Sequence, residues 1–160
     1  MAGQVRTDKV PTLPNFTGLS RTLGDNIGMP VEGQRTVLIV EDSENSATML
    51  EIAFLGIPGL AVLLASSAVE ALRILNDGAT RVQAIVTDLN MPRMDGFELI
   101  RRVREDRRLP GTPIIVVSAD TDPATPGRIA ELGVDAFFAK PFSPAQVRRK
   151  LEQLLNATTQ

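Results

Sequence analysis

The 160-residue chain contains no cysteine and no histidine. Without cysteine there is no disulfide framework, thiolate zinc site or cysteine nucleophile. Without histidine there is no Ser-His-Asp chemistry, histidine metal site or histidine phosphocarrier. A formal net charge of −2 gives no electrostatic case for nucleic acid. The N-terminus lacks an apolar signal-peptide core, which predicts a cytoplasmic protein. One uncharged run, residues 52–69, is long enough to raise a membrane span. Gly56, Pro58 and Gly59 break it and Ser66-Ser67 follow, so it reads as a helix end, a turn and a buried strand. The chemistry left to this chain runs on carboxylates, hydroxyls, lysine or arginine.

What is present suffices for one domain plus a tail, with 43% hydrophobic residues to build a core. Residues 1–34 are rich in Pro, Gly, Thr and Asn and read as a flexible N-terminal extension. Within them Phe16, Leu19, Leu23 and Ile27 have the spacing of a short amphipathic helix, which Gly18 and Gly24 weaken. From residue 35 to 157, apolar runs alternate with helical patterns. The runs are 37–40, 60–64, 82–87, 113–117 and 136–139. Ser43 caps a first helix with Met49, Ile52 and Ala53 expected inward. Ser67 caps a second with Val69, Leu72 and Leu75 inward. The third, over 96–108, follows Asp95 as N-cap and pairs Glu98 with Arg102 and Arg101 with Glu105. Its arginines read as a solvated face. The fourth starts near Pro126, ends at Gly133 and is expected to be short or mobile. The last starts at Ser143-Pro144, with Val147, Leu151, Leu154 and Leu155 as its apolar stripe, leaving 158–160 as a tail. Alternating strands and helices predict an α/β fold, a parallel sheet with helices on both faces.

Four of the five apolar runs end in polar groups. The first ends in Glu41-Asp42, the third in Asp88, the fourth in Ser118 and the fifth in Lys140. Each alone has a structural explanation, and Asp88 alone reads equally well as a turn or capping aspartate. In a parallel sheet all five groups gather at one edge, the usual place for a site. Three clustered carboxylates repel, and a divalent cation relieves that. Hard oxygen ligands with open positions favour Mg²⁺, with Mn²⁺ as a substitute. A lysine ammonium binds phosphate, and the Ser118 hydroxyl and the Ala119 N–H can donate to a phosphoryl oxygen. An aspartate can serve as nucleophile. The reading from the residues is Mg²⁺-dependent phosphoryl transfer to Asp88.

The motifs VLIVED (37–42), TDLNMPRMDG (87–96), VVSA (116–119) and FFAKPF (137–142) resemble the receiver domain of bacterial two-component response regulators over about residues 35–156. Asp88 to Ser118 is thirty positions and Ser118 to Lys140 twenty-two, as in that family. The resemblance implies a three-layer, five-stranded parallel sheet in the order 2-1-3-4-5. It implies Asp88 as phosphoacceptor, Asp42 as a direct Mg²⁺ ligand, Glu41 as a ligand through water and Asn90 as a backbone-carbonyl ligand. Ser118 becomes the switch hydroxyl, Phe137 the switch aromatic and Lys140 the phosphoryl contact, with a cis bond to Pro141. The fourth helix, fifth strand and fifth helix become the output face. The implied partners are a histidine kinase or histidine phosphotransfer protein and a downstream protein target, with a monomer or a phosphorylation-linked homodimer as the assembly. Phe137 lacks the hydroxyl of the tyrosine common at its position. Residues 1–34 have no counterpart in the family, and the last helix is followed by no output domain, so a stand-alone receiver is expected. Two alternatives remain: a receiver fold used as a phosphorylation-independent binding module, and a dehalogenase-type phosphatase. The phosphatase motif Asp-x-Asp-x-Thr/Val is broken here by Asn90 and Pro92.

Overall fold

A computed structural model describes residues 21–22 and 34–159 of the chain. The strands are β1 (Arg21–Thr22), β2 (Arg35–Val40), β3 (Leu60–Ala65), β4 (Ala84–Thr87), β5 (Ile114–Ser118) and β6 (Ala136–Ala139). Between and after them run α1 (Glu44–Phe54), α2 (Ala68–Asp77), α3 (Gly96–Glu105), α4 (Thr125–Glu131) and α5 (Pro144–Thr159). The sheet order is β1-β3-β2-β4-β5-β6. The five strands from β2 onward are parallel and give the expected order 2-1-3-4-5 when counted from β2. The sixth, β1, is antiparallel to β3 and comes from the N-terminal extension.

The strands are apolar on both sides because helices cover both faces. Leu38 and Val40 of β2 join Ala71, Leu75, Leu99, Ile100, Val103 and Ile129, so α2, α3 and α4 lie on that face. Val37 and Ile39 join Leu50, Phe54, Val147, Leu151 and Leu155, so α1 and α5 lie on the other. Alternation along one strand thus feeds two cores.

Local signals set the helix starts. The side chains of Ser43, Ser67 and Asp95 accept the backbone N–H of Ser46, Glu70 and Glu98 at 3.3, 3.0 and 3.0 Å. Each satisfies a donor that the first turn leaves free. On α3, Glu98 takes Arg102 at 2.8 Å and Arg101 takes Glu105 at 3.0 Å, as the spacing predicts. The uncharged run at 52–69 divides into the end of α1, a turn and β3. Among the described residues no helix is long and apolar enough to cross a membrane.

Some expectations need correction. Met49 and Ile52 are exposed, at 43% and 60%, and Leu50 and Phe54 form the inner face of α1 with half-buried Ala53 beside them. Both sets have helical spacing, and packing against β2 and β3 selects the pair with the larger phenyl ring. On α2, Leu75 is buried as expected, but Ala68 and Ala71 hold the inner line and Leu72 packs only partly. α3 stops at Glu105 rather than 108, because Asp106 leaves the helix and binds the Arg108 backbone and guanidinium. α4 is a helix of seven residues, short as expected. α5 runs on to Thr159, so no tail begins at 158. Arg21–Thr22 forms a strand inside the stretch read as an amphipathic helix. Phe16, Leu19, Leu23 and Ile27 themselves lie outside the described residues.

One close approach ties the fold to the strand ends. A Cβ at Gly96 would sit 2.7 Å from Leu89 Cα and closer still to the carbonyl oxygen of Asp88. The Gly96 N–H also donates to the Leu89 carbonyl at 2.8 Å. The loop after β4 therefore lies directly on the first turn of α3. Both atoms struck are backbone, so Gly96→Ala should destabilise by at least the ~1–3 kcal/mol typical of overpacking. A urea midpoint equal to that of the unaltered chain would contradict this contact.

Candidate functional site

Strand register brings the polar ends together. Val40 lies opposite Ala65 on one side and Thr87 on the other, Thr87 opposite Val116, and Ser118 opposite Ala139. The next residues, Glu41, Asp88 and Lys140, therefore emerge at one sheet edge. Backbone bonds fix them there: Asp88 N–H to the Val40 carbonyl at 3.0 Å, Glu41 N–H to Ala65 at 3.0 Å and Lys140 N–H to Ser118 at 2.9 Å. The Lys140–Pro141 bond is cis.

Carboxylate oxygens of Glu41, Asp42 and Asp88 all lie within 4.8 Å of one another. Glu41 and Asp88 are buried, Asp42 exposed. Lys140 Nζ bridges the two buried acids, 2.9 Å from Glu41 Oε1 and 3.0 Å from Asp88 Oδ2. Backbone donors take the other oxygens. Asp88 Oδ1 accepts from Leu89 N–H at 2.6 Å and Asn90 N–H at 3.3 Å, and Glu41 Oε2 accepts from Ser43 N–H at 3.1 Å. These bonds give each carboxylate one orientation.

Burial raises the pKa of Glu41. The Lys140 hydrogen bond and the Ser43 N–H work against that, and the Asp88 charge adds to it. Burial alone would lower the pKa of Lys140, but its hydrogen bonds to Glu41 and Asp88 and their charges outweigh it and raise the value. The ammonium is thus held charged against the acids. One ammonium against three carboxylates leaves a negative pocket with hard oxygen donors, a donor set suited to Mg²⁺ or Mn²⁺.

Of the remaining predicted residues, Ser118, Asn90 and Ala119 lie beside this centre and Phe137 does not. Ser118 is fully buried, and its Oγ accepts from Asp120 N–H at 3.1 Å and Asn90 Nδ2 at 3.5 Å. Asn90 and Ala119 are exposed at the mouth. Phe137 lies away from the carboxylates, half-buried, and packs against the core beneath α2, α3 and α4. Sequence reasoning missed three contributors: the N–H groups of Leu89 and Ser43, and Gly96 against the Asp88 carbonyl. The first two carry no side-chain signal. Gly96 follows the N-cap Asp95, and nothing in the letters marks its contact with the loop after β4.

The site leads into α4. That helix has Ala124 at its N-cap and so no side-chain cap, and the hydroxyl of buried Thr125 has no hydrogen-bond partner. Its far end is held by α3, where Arg104 donates to the carbonyls of Leu132 at 3.0 Å and Gly133 at 2.8 Å. Arg128 stacks on Phe97, 3.8 Å from the ring centre.

Known proteins share this architecture. The response regulator receiver domain matches residues 37–152. A chemotaxis protein CheY homolog of Campylobacter jejuni is 32% identical over 119 residues, covering 74% of this chain and 91% of the relative. Chemotaxis protein CheY1 of Helicobacter pylori is 32% identical over the same length, covering 95% of that protein. The response regulator receiver protein of Pseudomonas putida has a TM-score of 0.66 at 32% identity, covering 79% of this chain and 99% of that one. Chemotaxis response regulator CheY4 of Vibrio cholerae has a TM-score of 0.66 at 30% identity, covering 76% and 98%. Fold, strand-end residues and sequence similarity agree: the chain belongs to the response regulator receiver family.

Proposed function

We propose that this chain accepts a phosphoryl group on Asp88 from a phosphohistidine donor, with Mg²⁺ or Mn²⁺ held by Glu41, Asp42, Asp88 and the Asn90 carbonyl. The observation that carries the reading is the convergence of three carboxylates within 4.8 Å around one bridging lysine. A carboxylate oxygen of Asp88 attacks phosphorus, the phosphorus–nitrogen bond to the donor breaks, and the donor imidazole leaves. Water later cleaves the acyl phosphate. When bound, the metal supplies positive charge against the phosphoryl oxygens. The chain does the rest. Leu89 and Asn90 N–H groups hold Asp88 in one orientation, and Lys140 supplies a second positive charge. The chain is thus a signalling acceptor that supports its own phosphoryl transfer and dephosphorylation, not an enzyme with a separate substrate.

Output follows from the family pattern. Ser118 turns its hydroxyl toward the new phosphoryl group, leaving Asn90 and the Asp120 N–H. The fourth helix, whose first turn is uncapped, adjusts with it, and Phe137 follows on β6. The face made by α4, β6 and α5 then meets a protein target. The donor is a histidine kinase or histidine phosphotransfer protein in the cytoplasm.

Asp88→Asn should abolish phosphorylation by acetyl phosphate and Mg²⁺ and leave the fold intact, because Lys140 keeps Glu41 as partner. Intact-protein mass reads this, and persistent phosphoryl gain in the variant would remove Asp88 as the acceptor. Lys140→Ala removes a positive charge that the cation would otherwise meet. It should leave Mg²⁺ affinity equal or higher while slowing phosphorylation by about a hundredfold or more, the scale of removing one charge-stabilising donor. Calorimetric Mg²⁺ titration checks it, and a large loss of affinity would contradict it.

A further inference from the structure

The large hydrophobic residues exposed among those described are Met49, Ile52 and Leu55. They stand on α1 or at its C-cap, while Leu50 and Phe54 take the side turned to the sheet. The stripe therefore faces outward. α1 also carries Glu44 and Glu51 and no lysine or arginine. An apolar and acidic face disfavours a second copy of itself, because pairing α1 with α1 doubles the acids at the contact.

The topology brings another part of the chain to this helix. β1 pairs antiparallel with β3, Thr22 opposite Ala61 and Arg21 opposite Val62. Backward along the chain from Arg21, the register runs toward Ala65. The Ala65 carbonyl takes the Glu41 N–H, and Ser43, two residues on, caps α1. Residues 1–20, which lie outside the described residues, thus join the fold at the sheet end where α1 begins. α2, on the other face of β3, has no large exposed hydrophobic residue.

The letters before β1 match the stripe. Val10, Leu13, Phe16 and Leu19 stand at every third position, with prolines at 11 and 14. Each proline disfavours helical backbone at the residue before it and favours polyproline geometry. With three residues per turn, that geometry puts all four apolar side chains on one face, about 9 Å apart. Met49 and Leu55 are also about 9 Å apart along the axis of α1. Residues 1–20 carry Arg6 and Lys9 against one acid, Asp8, so their charge complements that of α1. The length suffices too. Crossing one helix diameter takes about 10–12 Å and running along α1 to Leu55 about 16 Å, within the roughly 31 Å that ten polyproline residues span.

We propose that the outer face of α1 is the docking surface for the chain's own residues 10–19, with Val10, Leu13, Phe16 and Leu19 laid over Met49, Ile52 and Leu55. The tether through β1 gives this contact an effective concentration of the order of millimolar, so it forms within one molecule. It uses none of the residues assigned to phosphoryl transfer and stands or falls independently of that chemistry.

The chain lacks cysteine, so a nitroxide on Thr12→Cys marks a single position of the full chain. Amide NMR intensities, compared with those of the reduced label, then read what lies near it. Peaks of 48–56 should lose most of their intensity, and those of 98–105 should keep theirs. Diluting the sample about tenfold should leave the loss unchanged, because the tether sets the local concentration. Leu13→Ser/Phe16→Ser should restore the peaks, and so should Ile52→Glu, at an exposed position. Amide shifts of 84–87 and 114–118 report whether the fold is kept. Full intensity at 48–56 in the labelled chain overturns the proposal and leaves the stripe to another protein. A loss seen only when labelled and isotope-enriched copies are mixed assigns the stripe to a second copy and overturns it as well. So does a loss that survives both sets of substitutions.

Discussion

Like charge gathered at the end of a parallel sheet is the constraint on which this structure rests. The register of β2, β4 and β6 leaves no choice about where Glu41, Asp88 and Lys140 emerge. Two of the three acids are buried, where unpaired carboxylates are costly. Lys140 answers that cost by bridging both, and the Leu89, Asn90 and Ser43 N–H groups take the oxygens it does not reach. One lysine cannot neutralise three acids. The pocket remains negative and oxygen-lined, which is the chemical basis for a divalent cation and, through it, for phosphate.

The surrounding fold differs on the two sides of this arrangement. Gly96 lets the loop after β4 lie on α3, and the capped first turns of α1 and α3 brace the acidic side. The Ser118 side differs. The loop after β5 leads into a seven-residue helix with no side-chain cap and a buried hydroxyl lacking a partner, while Arg104 holds the other end of that helix.

Much of this was legible in the sequence. The five strand ends, the three N-caps and the α5 stripe follow from local residue chemistry, and the site follows from strand ends sharing one direction. Side-chain pattern alone failed where two faces of a helix looked alike. In α1, Met49 and Ile52 have helical spacing just as Leu50 and Phe54 do, and only packing against the sheet separates them. It also failed for backbone donors, since nothing in the letters of Leu89 or Ser43 says that their N–H groups face a carboxylate. β1 was invisible because a two-residue strand has no period, and its partner β3 reads as an ordinary buried strand.

The most direct test of the central claim locates the phosphoryl group on the chain itself. Borohydride reduction of the acetyl phosphate-treated protein converts an aspartyl phosphate to homoserine, and peptide mass mapping then names the residue. The account predicts conversion at Asp88, dependent on Mg²⁺ or Mn²⁺. Conversion at Glu41 or Asp42, or a stable phosphate on Ser118, would contradict it.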